Sequence, residues 1–270
     1  MIWSRSPGAG YGRARSVCIL VALSAASTHA QWLNYPTPGT PRTKDGKPNL
    51  AAPAPRASNG KPDLSGVWQV EPTPIEELTR LFGNVRAFDV PGDGALTLNK
   101  YIRNILVDFK PEETLLRPEF ADLLRQRRGT STPLLRCLPI GVPADDMPPG
   151  PFNRQIYTDG RKPPADPEPL WLGYSTGKWE ADMLVIDTVG FNDKGWLDAI
   201  GHPHSEALHV VERFHRRDFG HMDVEATIDD PKMYTKPFSI KFTEHLLPDS
   251  DILENFCNEN ERDQSHSKGN

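Results

Sequence analysis

The chain has 270 residues, 31 basic against 36 acidic side chains for a net charge of −5, 27 prolines, three cysteines and an apolar share of 37%. No second apolar run reaches the ~20 residues of a membrane span, and cysteine is too sparse for a disulfide scaffold. A general nucleic-acid binder is excluded as well, because tracking phosphates needs a basic face.

Arg5, Arg13 and Arg15 precede the apolar run 17–26, and Thr28-His29-Ala30 offers small residues to a signal peptidase. The pattern predicts a signal peptide over 1–30 and a periplasmic or secreted location. The run is too short to anchor the chain, and Cys18 has no lipobox before it. Cleavage leaves 240 residues with 28 basic and 36 acidic groups. It also leaves two cysteines, Cys137 and Cys257. In an exported protein these most simply form one disulfide. Closing a loop of about 120 residues would contribute roughly 4–5 kcal/mol in the chain-entropy model. Two separate buried thiols are the alternative.

Residues 31–63 hold seven prolines and little apolar periodicity, which predicts an extended Pro-rich arm. Within it Gly46-Lys47-Pro48-Asn49-Leu50 returns as Gly60-Lys61-Pro62-Asp63-Leu64, a duplicated turn. A single globular domain is expected over 64–261, with a disordered tail over 262–270. Its first part, about 74–128, reads as helical. Ile75, Leu78, Leu81 and Phe82 follow helical spacing after Pro74, and 96–107 and 111–128 continue the pattern. From about 154 to 257 the period falls to two. Strands are expected over 183–189, 208–216, 222–228 and 238–243, with a last one over 252–257. Short turns between consecutive strands favour an antiparallel sheet with one polar face.

Asp63-Leu64-Ser65-Gly66-Val67-Trp68 opens the folded part. Its Gly-x-Trp resembles the first strand of lipocalin-like (calycin) barrels. A longer resemblance covers 154–261. Arg154-Gln155-Ile156-Tyr157-Thr158-Asp159-Gly160, Gly201-His202-Pro203-His204-Ser205-Glu206-Ala207-Leu208 and Cys257-Asn258-Glu259-Asn260 look like a family of uncharacterised secreted bacterial proteins. The resemblance implies a fold and a secreted setting, and no activity. Where that family carries an apolar strand pair, Pro151-Phe152-Asn153 here runs directly into Arg154, which implies an incomplete barrel or one patched by the arm. The fold expected is therefore α+β: an antiparallel calycin-like barrel or bent sheet with a few N-terminal helices and a Pro-rich arm.

Two groups of residues carry candidate chemistry. The first is the polar segment 198–209, in which Asp198, His202, His204, Ser205, Glu206 and His209 crowd together. His202, His204 and His209 are candidate ligands of one divalent metal. His202, His204 and Glu206, with Asp198 or Asp193 orienting an imidazole, are candidate acid–base residues. The same loop reads equally as imidazoles and carboxylates satisfying their own backbone. Gly173-Tyr174-Ser175-Thr176-Gly177 matches the G-x-S-x-G string of hydrolases, but a turn and a strand follow where a nucleophile elbow needs a helix.

The second group is aromatic. Trp171, Tyr174, Trp179, Phe191 and Trp196 fall within twenty-six residues. With Tyr157 they are candidates to line an apolar pocket, in which Arg154 is the polar anchor. Pairing of Arg154 with Asp159 or Asp187 is the competing role. The reading that follows is a binding protein for a small apolar or aromatic molecule in a β-barrel pocket. The alternative is a His-centred acid–base or metal-dependent lyase, isomerase or hydrolase acting on such a molecule. Neither reading has a nucleic-acid partner or a transmembrane segment.

Overall fold

The computed structural model describes residues 36–83, 99–113, 115–128, 130, 133, 138–139, 141–143 and 153–251. The expected signal peptide, both candidate disulfide cysteines, the strand over 252–257 and the tail lie outside the described residues. Among those described, no helix is long and apolar enough to cross a membrane.

Among the described residues seven strands form one sheet: β1 Trp68–Val70, β2 Ile156–Tyr157, β3 Tyr174–Glu180, β4 Met183–Val189, β5 His209–Arg216, β6 His221–Asp229 and β7 Phe238–Leu246. The order is β1-β7-β6-β5-β4-β3-β2. All neighbours are antiparallel except β2, which runs parallel to β3. β1 and β2 are the two edges and do not pair with each other, so the sheet is a curled half-barrel. Of the two forms expected, barrel or bent sheet, the bent sheet is the one present, in an α+β fold, and it does not close into a barrel.

Period-two patterning sets the register. Ser175, Thr188, Val210, Ile228 and Phe238 form one row across five strands. Gly177, Ile186, Glu212, Ala226 and Ile240 form the next, and Trp179, Leu184, Phe214, Val224 and Phe242 the third. These rows make the packed face. The opposite face carries the row Lys178, Val185, Arg213, Glu225 and Lys241, in which all but Val185 are charged.

The packed face is covered by irregular chain. Tyr101, Ile105, Leu115, Val142, Phe191, Leu197 and Tyr234 join the strand residues in one apolar cluster. Ile105, Phe191 and Leu197 are fully buried, and each such side chain contributes about 1.5–3 kcal/mol through burial.

The helical region breaks into pieces: α1 Ile75–Phe82, α2 Lys100–Arg103, 3-10 turns at Pro111–Glu113 and Pro118–Phe120, and α3 Ala121–Arg127. The breaks have local causes. Asn99 caps α2 by accepting from Tyr101 N, and the Asn104 side chain accepts from Leu106 N. Ile105 N donates to Asp198 rather than to a helical carbonyl. Pro111 and Pro118 stop any continuation. Apolar spacing over 96–107 therefore places plugs in the core without a long helix.

The arm is a built part of the domain. Each repeat copy closes a hairpin-like turn, with Thr43 N donating to Lys47 O in the first and Ala57 N to Lys61 O in the second. Gly46 and Gly60 supply the positive φ, 81° and 78°, that each turn needs. The arm then lies along the hairpin-turn end of the sheet. Arg42 pairs with Asp249 after β7, and Arg56 pairs with Asp182 between β3 and β4. Gly220 N and Phe219 N donate to Leu50 O and Ala52 O. Arg216, 4% exposed, stacks between the rings of Trp68 and Phe219 and donates to Asp63 O.

Candidate functional site

At the β2–β3 edge the sheet leaves a cleft of about 450 Å³. Its floor is set by Gly173, whose φ is +66° and whose Cβ position would lie 2.8 Å from both Thr188 Cγ2 and Val189 O. Only glycine fits there, at the bend between Leu170-Trp171-Leu172 and Tyr174, which begins β3. Leu170 N donates to Gly190 O and Asn192 N to Leu170 O, which pins this bend to the chain after β4. On the other side β2 carries Tyr157 against Tyr174, with ring centroids 5.1 Å apart and planes 27° from parallel. Arg161 lies over the Tyr157 ring at 4.0 Å. Asp159 holds that guanidinium through Nε and Nη2 and raises its pKa.

Four predicted ligand residues, Arg154, Tyr157, Trp171 and Tyr174, line this one cleft. Trp179 and Trp196 do not. Trp179 sits further along β3 in the row of Leu184 and Phe214. Trp196 is buried with the Arg127 guanidinium 5.4 Å above its ring, where burial lowers the Arg127 pKa.

Behind the cleft, Arg154 Nη1 is 2.7 Å from Glu212 Oε2, and the two side chains are 8% and 1% exposed. Arg154 thus pairs with neither Asp159 nor Asp187. Asp159 belongs to Arg161, and Asp187 faces His209 at 3.1 Å. Sequence reasoning passed over Glu212 as this partner, yet a signal was there. Val210, Glu212, Phe214 and Arg216 share the inward phase of β5, and a carboxylate in that phase requires a cation.

In the polar loop the expected pairing of Asp198 with an imidazole, that of His202, is present, but the same carboxylate also holds backbone. Asp198 is fully buried and accepts the backbone N–H groups of Ile105, Ile200, Gly201 and His202. It also binds His202 Nδ1. Asp230, 1% exposed, does the same for Ser205 N, Ser205 Oγ, Lys232 N and Met233 N. Tyr234 donates its hydroxyl to Pro203 O at 2.8 Å, and burial raises its pKa well above the usual value. These side chains satisfy the backbone of an irregular loop that is itself buried.

His204 is 1% exposed and meets Phe191 edge-on, with centroids 5.9 Å apart. Its Nδ1 donates to Ser205 O, and its Nε2 faces Gly141 and has no hydrogen-bond partner among the described residues. Burial pushes its pKa down to about 4.

The candidate metal set does not converge. His209 lies on the opposite face of β5 from the inward Val210 and Glu212, against Asp187. Among the described residues no group of three His, Cys, Asp or Glu side chains is placed to hold a metal ion. Glu206 and Asp193 are exposed, and Asp193 reaches the buried His204 only through a weak charge effect.

No protein-family model matches the chain, and no curated protein or solved structure matches it.

Proposed function

We propose that the protein binds a small aromatic molecule in the cleft at the β2–β3 edge. One observation carries the reading. Arg154, Tyr157, Trp171 and Tyr174, drawn from two separate segments, converge on a single concave site of about 450 Å³. An apolar, aromatic-lined pocket with few polar groups is the usual form of a small-molecule site. The stacked tyrosines offer a flat face to a planar ring, and offset stacking adds about 0.5–1.5 kcal/mol beyond burial. The acid–base alternative draws less support, because the Asp198 and Asp230 carboxylates are committed to backbone N–H groups.

Trp171 in the cleft is the reporter. A panel of small neutral and charged aromatics, followed by tryptophan fluorescence, is expected to yield saturable quenching by some members. Tyr174→Ala should weaken binding on the order of tenfold with an unchanged far-UV circular dichroism spectrum. Trp171→Phe should remove most of the signal while calorimetry still detects binding. Failure of every aromatic to bind, or full affinity in Tyr174→Ala, would overturn the proposal.

A further inference from the structure

We infer that the cleft selects neutral aromatics bearing a carbonyl or amide oxygen, and discriminates against aromatic carboxylates. The inference rests on the reading of the cleft as an aromatic-binding site.

The argument is one of charge balance. Arg154 is the only charged side chain among the described residues that line the cleft. Taken alone it would suit a carboxylate. Its charge, however, is already matched by Glu212, whose side chain is 1% exposed and whose Oε2 lies 2.7 Å from Nη1. A ligand carboxylate at Arg154 would place two anions on one cation, and the existing pair is buried, its side chains 8% and 1% exposed. Like charges in a poorly solvated site repel strongly, and desolvating a second carboxylate costs more than one shared cation returns.

The rim gives the same answer. Arg161, the other cation beside the aromatic wall, is held by both oxygens of Asp159 and lies over the Tyr157 ring at 4.0 Å. Both arginines near the site are therefore neutralised within the protein.

A neutral acceptor fares differently. The Arg154 guanidinium remains a charged donor, and charge-assisted hydrogen bonds to an uncharged oxygen are strong without adding net charge. Asn153 and Gln155 on the same wall add amide groups able to meet an amide ligand. The chemistry that fits is a planar ring carrying a ketone, amide or ester oxygen.

Benzamide and benzoate have nearly the same shape and differ in charge, so they test this directly. Calorimetric titration of the full chain at pH 7 should show benzamide binding about tenfold more tightly than benzoate. Glu212→Gln, which removes the internal anion, should reverse the preference by strengthening benzoate. If Glu212→Gln does not fold, Arg154→Leu/Glu212→Leu removes the pair without leaving an orphan charge. That variant should bind benzamide more weakly and shrink the discrimination in the wild type. Tighter benzoate binding by the wild type, or a preference unmoved in the folded variant, would overturn the inference while leaving the aromatic site standing. If neither probe nor any member of the wider panel binds, the aromatic site itself fails.

Discussion

His204 makes acid sensitivity a sharp expectation. Its imidazole is 1% exposed, and desolvation moves its pKa from 6.5 to about 4 against weaker opposing effects from Ser205 O, Asp230 and Asp193 and a reinforcing one from Arg127. In the unfolded chain the same imidazole titrates near 6.5. Between those two values the unfolded state binds the extra proton, so stability falls as pH falls through the window and levels off below the folded pKa. At about 1.4 kcal/mol per pH unit for one proton, the full loss is about 3 kcal/mol. The assay is urea unfolding at half-unit steps from pH 8 down to pH 4, for wild type and His204→Leu. Leucine removes the proton-binding site and gives up only the 3.3 Å contact to Ser205 O. The difference between the two stability curves should be flat above pH 7 and should fall by about 3 kcal/mol by pH 4. Carboxylates held low by partners, such as Asp63 beside Ser65, act at more acid pH and cancel in the difference. Parallel curves across the window would refute the assignment of His204 as a neutral buried imidazole.

Three further outcomes follow from the packing. Asp198→Ala strips the acceptor from four backbone N–H groups and His202 Nδ1, and should cost at least about 3 kcal/mol in denaturant unfolding; a loss under about 1 kcal/mol would show that the loop holds itself. Ile105→Ala empties a fully buried site under the sheet and should cost about 2–5 kcal/mol, read from the same transition, with a near-neutral result counting against the core described. Gly220→Ala would put a Cβ 2.4 Å from Leu50 Cβ and 3.0 Å from Leu50 Cα, which the arm cannot meet without lifting. Limited proteolysis of that variant should cut within 36–63 faster than in wild type, and equal cleavage rates would mean that the arm is not held there.

The strands were legible because the sheet has one wet face. Residues 183–189 and the alternation Met222, Val224, Ala226, Ile228 appear in the structure at the positions the pattern indicates. The helices were less legible. Apolar spacing over 96–107 reports which side chains reach the core, and it cannot tell a helix from a chain whose N–H groups are taken by Asn99, Asn104 and Asp198. Of the aromatic set, Tyr157, Trp171 and Tyr174 line the cleft with Arg154, and Trp179, Phe191 and Trp196 do not, because sequence proximity does not say which face a ring takes. Glu212 was missed because it lies 58 residues from Arg154 and the nearer acids offered themselves first. The polar loop drew attention for its density of titratable groups. That density serves the burial of an irregular segment, whose every N–H needs an acceptor.

The same logic explains why the cleft lies at the edge rather than inside the curl. The three inward rows are roofed by Ile105, Val142, Phe191, Leu197 and Tyr234, so the concave space is filled with side chains. The roof runs out beside β3, where β2 supplies only two residues. Gly177 allows the close approach there: its Cβ position would lie 3.0 Å from Ile156 Cγ2 and 3.2 Å from Thr158 Cγ2. With no side chain at Gly177, β2 closes against β3, and Arg154, just before β2, reaches Glu212 on β5, beyond β3 and β4. The ion pair thus fastens the last strand of the open sheet. It also sets the charge of the cleft that the open edge leaves behind.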